Sequence, residues 1–383
     1  MLNQINPIVK NIHVPGIRVF ANEVAKYENG INLTIGQPDF PTPESIKQAG
    51  IQAIQHNLTG YSHNAGLISL RRAVSGFFED KYDFYYNPEN EIVITNGASE
   101  AIDSVLRTIL LPGDEVILPV PSYSGYESII RLSGGKIIPL DTTKSDFIPD
   151  PAELEKLITN KTKAVIFNFP SNPVGVCLTK EQIDPLVALL KKHKIFIISD
   201  EIYSENVFDF KHTSFANYPE IRDQLFLLHG LSKSHSMTGW RIGYVLGDAV
   251  LMEQVLKVHL NNSICASLPS QYAAIEALTN CQDEPAKMNE TYVRRRDYVY
   301  KRLTQMGFNT IKPNGTFYIF PSIKHTGLQS YDFATQLLQT EQTAVVPGSA
   351  FQAEGYIRIS FASSMDILAE GLNRIERFIQ TIN

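Results

Sequence analysis

Of all the side chains in this sequence, that of Lys233 is the clearest candidate for a chemical role. It lies in the segment LSKSHSMTGWRIGY, and Arg241 follows eight residues later. A lysine amine can bond covalently to an aldehyde, and an arginine can bind a phosphate carried by the same ligand. Most lysines are solvated surface charges. This one follows the apolar run LFLLH (225–229) and precedes the strand-like RIGYVLG, so its amine is expected at the end of a buried strand.

Asp200 directly follows another apolar run, IFIIS, and Tyr203 lies three residues further on. Open α/β sheets bind ligands beyond the carboxyl ends of their parallel strands, so this carboxylate could face a ligand. On position alone, a cap on a turn or a helix explains Asp200 equally well. Taken with Lys233, the carboxylate favours pyridoxal 5′-phosphate chemistry, in which an acid keeps the pyridine nitrogen protonated.

The segment TNGASEAI (95–102) combines a strand end, a turn of small residues and a helix start. Gly97 would allow close approach of a ligand, and the amides near Ala98 and Ser99 would lie at the positive end of a helix, where anions bind. The structural alternative is an ordinary turn capped by Ser99. The segment predicts a phosphate site to which Arg241 contributes.

Arg358 lies in the strand-like YIRISFA, between Ile357 and Ile359, which point to the opposite side of the strand. An arginine on a strand is often a solvated edge residue. If it faces a pocket instead, its planar guanidinium can bind a carboxylate through two hydrogen bonds.

Alternating strand and helix patterns must position these side chains. Through the middle of the chain, apolar runs alternate with amphipathic stretches, which predicts an α/β fold with a mostly parallel central sheet between helices. The predicted strands are EIVIT, EVILP, KIIPL, AVIFNF, IFIIS, LFLLH and RIGYVL, and the predicted helices include 99–110, 179–193 and 249–259.

The two ends of the chain have different patterns. Pro and Gly interrupt the N-terminal part, where GQPDFPTP (36–43) is too broken for regular structure and an extended arm or an active-site loop is expected. A long charged helical pattern (283–306) precedes strand-like TFYIFP and YIRISFA and a last helix near 367–379. We predict an N-terminal arm that forms part of a small domain (1–45), a large cofactor-binding domain (46–280) and a small α+β C-terminal domain (281–383).

Composition favours a protein that acts on small molecules. The chain has 383 residues, 43% of them hydrophobic, and a formal net charge of −6, which predicts neither a nucleic-acid partner nor an anionic membrane surface. The three cysteines have no metal-type spacing and the nine histidines include no HxxxH pair, so no metal is expected. Without a signal-like segment or a run of ~18 apolar residues, we expect a cytoplasmic location.

Nine motifs together resemble the class I and II aminotransferases, the fold type I enzymes that use pyridoxal 5′-phosphate. In chain order they are GQPDFPTP, YSHNAGLISLR, TNGASEAI, PSYSGY, NFPSNPVG, SDEIY, LSKSHSMTGWRIGY, PNGTFYIFP and YIRISFA. Each is weak alone, but their shared order leaves little room for chance. The resemblance implies a ping-pong amino-acid aminotransferase whose cofactor is pyridoxal 5′-phosphate.

The resemblance also implies roles for the matching residues. Lys233 matches the lysine that bonds to the cofactor and then carries the substrate proton. Asp200 matches the partner of the ring nitrogen. Other matching cofactor contacts are Tyr203 and Asn172 at the ring oxygen, Tyr123 on the ring face, and Gly97, Ala98, Ser99, Ser232 and Arg241 at the phosphate.

The substrate carboxylate is expected to be bound by Arg358, with Asn172 and the backbone of Gly36 completing the clamp. Phe317 and Tyr318 are expected to line the approach to the pocket. Tyr61 matches a tyrosine that family members lend across a dimer interface to the neighbour's phosphate. The resemblance therefore implies a homodimer with shared active sites.

Two positions depart from the family pattern. Gly230 stands where many relatives carry a phosphate-binding serine, and Gln352 replaces a glycine in the loop after VVPGSAF. One cofactor contact is therefore expected to be missing or replaced, and that loop is expected to differ.

Other functions compete with this interpretation. The cofactor motifs do not decide which bond at the substrate Cα breaks, so β-elimination from sulfur amino acids stays an alternative. A non-catalytic cofactor-binding regulator is less favoured, because no basic module precedes the motifs. A nicotinamide dehydrogenase is not favoured, because this chain has no GxGxxG fingerprint after a strand. Among aminotransferases, the bacterial aromatic and N-acetyl-L,L-diaminopimelate enzymes are the preferred siblings, with glutamate and 2-oxoglutarate as the exchange pair.

Overall fold

A computed structural model describes residues 4–12 and 16–382 of the chain. The strands in these residues, numbered in chain order, are β1 (Ile31–Asn32), β2 (Ile92–Thr95), β3 (Glu115–Val120), β4 (Lys136–Asp141), β5 (Thr162–Asn168), β6 (Phe196–Asp200), β7 (Leu225–Gly230), β8 (Gly243–Gly247), β9 (Tyr318–Ile319), β10 (Thr343–Ala344), β11 (Val346–Pro347) and β12 (Ile357–Ser360).

The α-helices of the same residues are α1 (Pro7–Lys10), α2 (Gly16–Val24), α3 (Glu44–Gln55), α4 (Ile68–Tyr82), α5 (Ala98–Ile109), α6 (Gly125–Leu132), α7 (Pro151–Leu157), α8 (Lys180–His193), α9 (Ala249–Ser263), α10 (Leu268–Thr279), α11 (Glu284–Gln305), α12 (Ser330–Glu341) and α13 (Met365–Ile382). Within the described ranges, no helix is both long and apolar enough to span a membrane.

The largest sheet in the described part of the chain has the strand order β2–β8–β7–β6–β5–β3–β4. Only β8 runs antiparallel to its neighbours, and the other pairs are parallel. Each of these strands was predicted from its apolar run. Because helices cover both faces, strands such as β3 and β7 are buried along their whole length. The predicted mostly parallel sheet is confirmed.

Neighbouring residues of one strand belong to different hydrophobic cores. Ile92 and Ile94 of β2 pack into the core on one face of the sheet, whereas Val93 packs into the core on the other. In β3, Ile117 and Val116 divide in the same way. This is the two-residue alternation of a strand that is covered on both sides.

A second, smaller unit combines both ends of the chain. Strand β1 pairs in parallel with β10, and β11–β12–β9 form a separate antiparallel sheet. Phe20 and Leu33 from the N-terminal segment share a hydrophobic core with Tyr292 of α11 and Ile375 of α13. The expected α+β region built from both termini is therefore present.

The N-terminal segment is more ordered than its Pro and Gly content suggested. Helix α2 occupies a stretch for which the sequence predicted an extended arm, and the Asn6 side chain caps the short α1 by accepting a hydrogen bond from the Ile8 amide at 2.9 Å. Residues 36–43 are irregular, as predicted.

Candidate active site

The candidate residues converge at the carboxyl ends of the parallel strands. Asp200 is the last residue of β6, Asn172 follows β5 by four residues, and Lys233 follows β7 by three. This edge of an open sheet is where α/β proteins bind ligands. Adjacent strands in the order β5–β6–β7 therefore bring three distant motifs together.

Lys233 is half-buried, and its Nζ atom donates a hydrogen bond to the backbone oxygen of Gly36 at 2.5 Å. The same nitrogen lies 5.8 Å from the centre of the Tyr203 ring. Burial and the positive charges of Arg358 and Arg241 lower the pKa of Lys233 to about 8. A larger fraction of neutral, nucleophilic amine is thus present near neutral pH than for an ordinary lysine.

Asp200 is buried and hydrogen-bonded on both carboxylate oxygens. Tyr126 donates its hydroxyl proton to Oδ2 at 2.6 Å, and the Ile202 amide donates to Oδ1 at 3.1 Å. Burial raises the pKa of Asp200, while these two hydrogen bonds act in the opposite direction by stabilising the charged form. An acid of this kind suits a buried protonated nitrogen.

Tyr203 and Asn172 each have a partner that orients the side chain. The hydroxyl oxygens of Tyr203 and Tyr318 lie 3.0 Å apart, and burial raises the pKa of Tyr203 well above its ordinary value. Asn172 accepts a hydrogen bond from Arg358 through Oδ1 at 2.8 Å, so its amide nitrogen is the group that can donate to a ligand.

Arg358 is 1% exposed on the central strand of the β11–β12–β9 sheet, and the solvated-edge alternative is wrong. Its terminal nitrogens donate to Asn172 and, at 2.7 Å, to the backbone oxygen of Thr34. No carboxylate of the described residues pairs with Arg358, and its Nε atom has no hydrogen-bond partner there. A buried cation without an anion is costly, so this environment favours a ligand carboxylate.

The predicted phosphate site has the backbone features that an anion requires. Helix α5 begins at Ala98, one residue earlier than predicted, and no side chain caps its first amides. Gly97 has a φ of +82°, and a Cβ atom there would lie 2.5 Å from Nη2 of Arg241. The missing side chain therefore lets the Arg241 guanidinium lie against the backbone at the start of α5, so that a positive charge and the first amides of the helix are close together.

The other phosphate candidates differ in exposure. Arg241 is exposed and adopts a left-handed conformation, with its guanidinium donating to the backbone oxygen of Thr238 at 2.9 Å. Ser99 is exposed in the first turn of α5 and does not cap it, while Ser232 is buried beside Lys233. The alternative of a turn capped by Ser99 is wrong.

The two predicted aromatic contacts are partly or fully accessible. Tyr123 is 38% exposed, and its ring lies edge-on to Tyr126 at a centroid distance of 5.4 Å. Tyr61 is 80% exposed and makes no hydrogen bond to the other site residues. Its suggested role across a dimer interface stays a prediction.

Sequence reasoning missed two residues of this site. Tyr126 lies three residues after Tyr123 in PSYSGY, on the first turn of α6, and only the fold shows that its buried hydroxyl meets Asp200. Thr34 contributes only its backbone oxygen, for which no sequence signal exists. Phe317, expected at the pocket approach, is fully buried and packs on Tyr203 with ring centres 5.6 Å apart.

The two departures from the family pattern have structural consequences. A Cβ atom at Gly230 would lie 2.8 Å from the backbone oxygen of Ile242, so the backbone leaves little room for a serine. Gln352 has a φ of +60°, the left-handed region that favours glycine. Its side chain donates to Glu127 at 3.3 Å.

Comparison with known proteins agrees with the geometry. The profile of the family described as aminotransferase class I and II matches residues 28–375. The chain is 50% identical to a probable N-acetyl-LL-diaminopimelate aminotransferase of Bacillus subtilis, covering 100% of this chain and 99% of the relative. It is 38% identical to an aspartate aminotransferase of Pyrococcus abyssi, with 95% of each covered.

A solved structure extends the agreement to the whole fold. The aromatic aminotransferase of Pyrococcus horikoshii superposes with a TM-score of 0.90 at 36% identity, covering 94% of this chain and 99% of that one. The lysine, the buried acid, the open helix N-terminus and the unpaired arginine described above fit a phosphate-bearing aldehyde and a carboxylate substrate. The chain therefore belongs to the class I and II aminotransferases, enzymes that transfer amino groups with pyridoxal 5′-phosphate as their cofactor.

Proposed function

We propose that Lys233 moves the substrate proton and that Arg358 binds the substrate α-carboxylate in this aminotransferase. The observation that carries the proposal is the buried Arg358 guanidinium, which has no carboxylate partner in the described residues and lies near enough to Lys233 to lower the pKa of the amine. An amino acid or a 2-oxo acid supplies the missing anion. Both have a carboxylate next to the reacting carbon.

Pyridoxal 5′-phosphate, when bound, supplies an aldehyde for the amine and an electron-withdrawing ring for reaction at the substrate Cα. The residues that would hold it are Asp200 at the ring nitrogen, Tyr203 and Asn172 at the ring oxygen, and Tyr123 on the ring face. Gly97, Ala98, Ser99, Ser232 and Arg241 would hold the phosphate. The uncapped N-terminus of α5 and the close approach of Arg241 to Gly97 support this arrangement.

The protein's own contribution to catalysis is orientation and proton transfer. Arg358 and Asn172 hold the carboxylate in a fixed position. The walls of the pocket then determine the orientation of the Cα–H bond. Lys233 takes the proton from Cα in its neutral form and returns it later in the cycle. Asp200 keeps its negative charge beside the ring nitrogen, with Tyr126 as its hydrogen-bond donor.

For the substrate, we propose N-acetyl-L,L-diaminopimelate, with glutamate and 2-oxoglutarate as the exchange pair. The relative that is 50% identical along its full length supports this choice. An aromatic amino acid is the second candidate, supported by an aromatic-amino-acid aminotransferase of Thermococcus litoralis that is 38% identical.

A panel of amino donors with 2-oxoglutarate tests the proposal. N-acetyl-L,L-diaminopimelate, L-aspartate, L-phenylalanine and L-tyrosine would each be supplied to the holoenzyme, and glutamate formation would be measured. We expect the highest kcat/KM with the first donor. A higher value with an aromatic donor would select the second candidate. Release of ammonia and pyruvate from a sulfur amino acid such as L-cystathionine, supplied without 2-oxoglutarate, would favour elimination.

We further propose a cytoplasmic homodimer in which Tyr61 reaches the partner's phosphate site. The 80% exposure of Tyr61 supports the dimer, and the three free cysteines, which suit a reducing compartment, support the cytoplasmic location. We also assign residues 46–280 to the cofactor domain, with 1–45 and 281–383 forming the arm and the small domain.

Sedimentation analysis tests the dimer. Mixing Tyr61→Phe and Lys233→Ala chains tests sharing, because hybrids would contain one site with both native residues.

A further inference from the structure

Residues 36–43 form an irregular segment, here called the Gly36 loop, that connects the active-site lysine to helix α11. At its start, the Gly36 backbone oxygen accepts the hydrogen bond from Lys233. Near its end, Thr42 donates a hydrogen bond to the backbone oxygen of Ser236 at 2.7 Å, within the segment that carries Lys233. The loop therefore contacts the lysine segment at two points.

The middle of the loop is held by an ion pair. Nη1 and Nη2 of Arg295 on α11 donate to the two carboxylate oxygens of Asp39 at 2.7 and 2.8 Å. The Arg295 side chain is only 8% exposed and that of Asp39 28% exposed. A two-point pair fixes both the distance and the orientation of the loop relative to the helix.

Aromatic contacts add to this attachment. The guanidinium carbon of Arg295 lies 5.5 Å from the centre of the Phe40 ring, and Phe40 packs edge-on against Tyr292 of α11 at 5.5 Å. Consecutive loop residues thus contact the same helix by charge and by packing. Without the ion pair, the packing of Phe40 on Tyr292 would have to hold the loop against α11.

The backbone of Gly36 is closely packed against the active site. A Cβ atom on Gly36 would lie 3.0 Å from the Tyr318 hydroxyl, so its backbone passes close to the aromatic ring over which Arg358 lies, with 4.2 Å between the guanidinium carbon and the ring centre. A displacement of the loop would therefore alter both the contact to Lys233 and the border of the carboxylate site. Small misplacements at such positions reduce catalysis strongly.

We propose that Asp39 and Arg295 are a positioning pair, which holds the Gly36 loop against α11 so that Gly36 meets Lys233 and borders the site of the substrate carboxylate. This rests on the proposed function, in which Arg358 binds that carboxylate. Neither Asp39 nor Arg295 is proposed to touch the substrate. Their effect is transmitted through the backbone of residues 36–39.

The chain offers a control on the same helix. Arg296, the next residue of α11, is also buried, and it pairs with Asp209 at 2.7 Å and with Asp297 at 2.9 Å. Asp209 lies outside the Gly36 loop. Asp39→Asn and Asp209→Asn therefore remove one carboxylate charge each from adjacent arginines, and only the first affects the loop.

Trp240 provides a readout that does not depend on turnover. It is the only tryptophan of the sequence, and its indole nitrogen donates to the Thr42 hydroxyl of the loop at 3.1 Å. A looser loop should expose the indole to a soluble quencher. Acrylamide quenching of the holoenzyme thus reports loop attachment even if the assumed substrate chemistry is wrong.

The test measures kcat, KM for L-glutamate, the cofactor absorbance spectrum and acrylamide quenching for wild type, Asp39→Asn, Arg295→Met and Asp209→Asn. For the two loop variants we expect KM to rise about tenfold, a smaller change in kcat and an unchanged spectrum. Quenching should increase roughly twofold as the loop loosens. Asp209→Asn should match wild type in all four measurements.

Three results would overturn the positioning role. These are wild-type KM and quenching in Asp39→Asn, equal changes in Asp209→Asn, and a loss of cofactor absorbance with KM unchanged. Absence of any turnover in wild type would contradict the proposed function alone, because the quenching comparison would still decide whether Asp39 and Arg295 hold the loop.

Discussion

Tyr126 donates a 2.6 Å hydrogen bond to Oδ2 of Asp200, and both side chains are buried. The phenol sits on α6 and the carboxylate at the end of β6, so the contact connects two elements of the large sheet region. Because burial raises the pKa of Asp200, a donor that favours the ionised form has a direct effect on the charge that we propose for the partner of the ring nitrogen.

Replacing Tyr126 by phenylalanine should therefore weaken the ionised form of Asp200. A hydrogen bond to a charged group is worth about 1.5–3 kcal/mol, which corresponds to a fall in kcat of roughly 10- to 100-fold. The dissociation constant of pyridoxal 5′-phosphate, measured by absorbance titration of the apoenzyme, should rise with it.

Tyr244→Phe is a matched control, because Tyr244 is also buried and its hydroxyl lies 2.9 Å from His229 instead of Asp200. It should retain the wild-type cofactor affinity. Equal losses of cofactor affinity in the two variants would mean that removing any buried phenol hydroxyl has this effect. That result would contradict a specific role for Tyr126.

The depressed pKa of Lys233 predicts how the apoenzyme reacts with its cofactor. Only the neutral amine attacks an aldehyde, so the rate of covalent binding should rise with pH and level off above about pH 8. Arg358→Met removes a positive neighbour, which raises the pKa of Lys233 and should move the midpoint to higher pH. Stopped-flow absorbance measures both curves, and an unchanged midpoint in the variant would contradict the assigned coupling.

A lysine at position 358 should not bind the substrate carboxylate as well as Arg358 does. Arg358→Lys keeps a positive charge but cannot reproduce the separate hydrogen bonds to Asn172 and Thr34 while leaving a planar donor for a carboxylate. We expect kcat/KM for L-glutamate to fall about 100-fold, mainly through KM, with the cofactor spectrum retained. A variant with wild-type KM would show that the carboxylate is bound elsewhere.

Serine at position 230 should destabilise the protein instead of adding a phosphate contact. Its Cβ atom would lie 2.8 Å from the Ile242 oxygen and 3.0 Å from the Gly243 Cα, so the backbone would have to shift, at a cost of about 1–3 kcal/mol. Thermal unfolding and cofactor titration of Gly230→Ser test this. Gly76→Ser, where a Cβ meets no atom within 4 Å, serves as the control. Tighter cofactor binding at an unchanged Tm would refute the expectation.

The large sheet could be predicted from sequence because its strands other than the edge strand β4 are buried on both faces. Runs such as LFLLH and IFIIS are continuously apolar for that reason, and the residues just beyond them, Asp200 and Lys233, could be placed at one edge of the sheet. The position of α5 was predicted to within one residue. Its first residue could not be predicted, because the N-cap is Gly97, which has no side chain that could mark the helix start.

Other features depend on tertiary contacts that no local pattern encodes. Arg358 alternates with two isoleucines, yet all three residues are buried because the strand lies between other layers of the protein. Tyr126 reads as an ordinary core aromatic until α6 is placed beside Asp200. Likewise, Asp39 and Arg295 are separated by 256 positions, and only the fold brings them together.

Exchange of the substrate Cα proton with solvent measures the proton transfer that we assign to Lys233. L-glutamate would be incubated with holoenzyme in D₂O, and loss of the Cα–H signal followed by proton NMR. The wild-type protein should exchange this proton at a rate comparable with turnover, whereas Lys233→Ala, loaded with the cofactor, should be slower by roughly a thousandfold. Exchange at the wild-type rate in the alanine variant would contradict the assignment of Lys233 as the proton carrier.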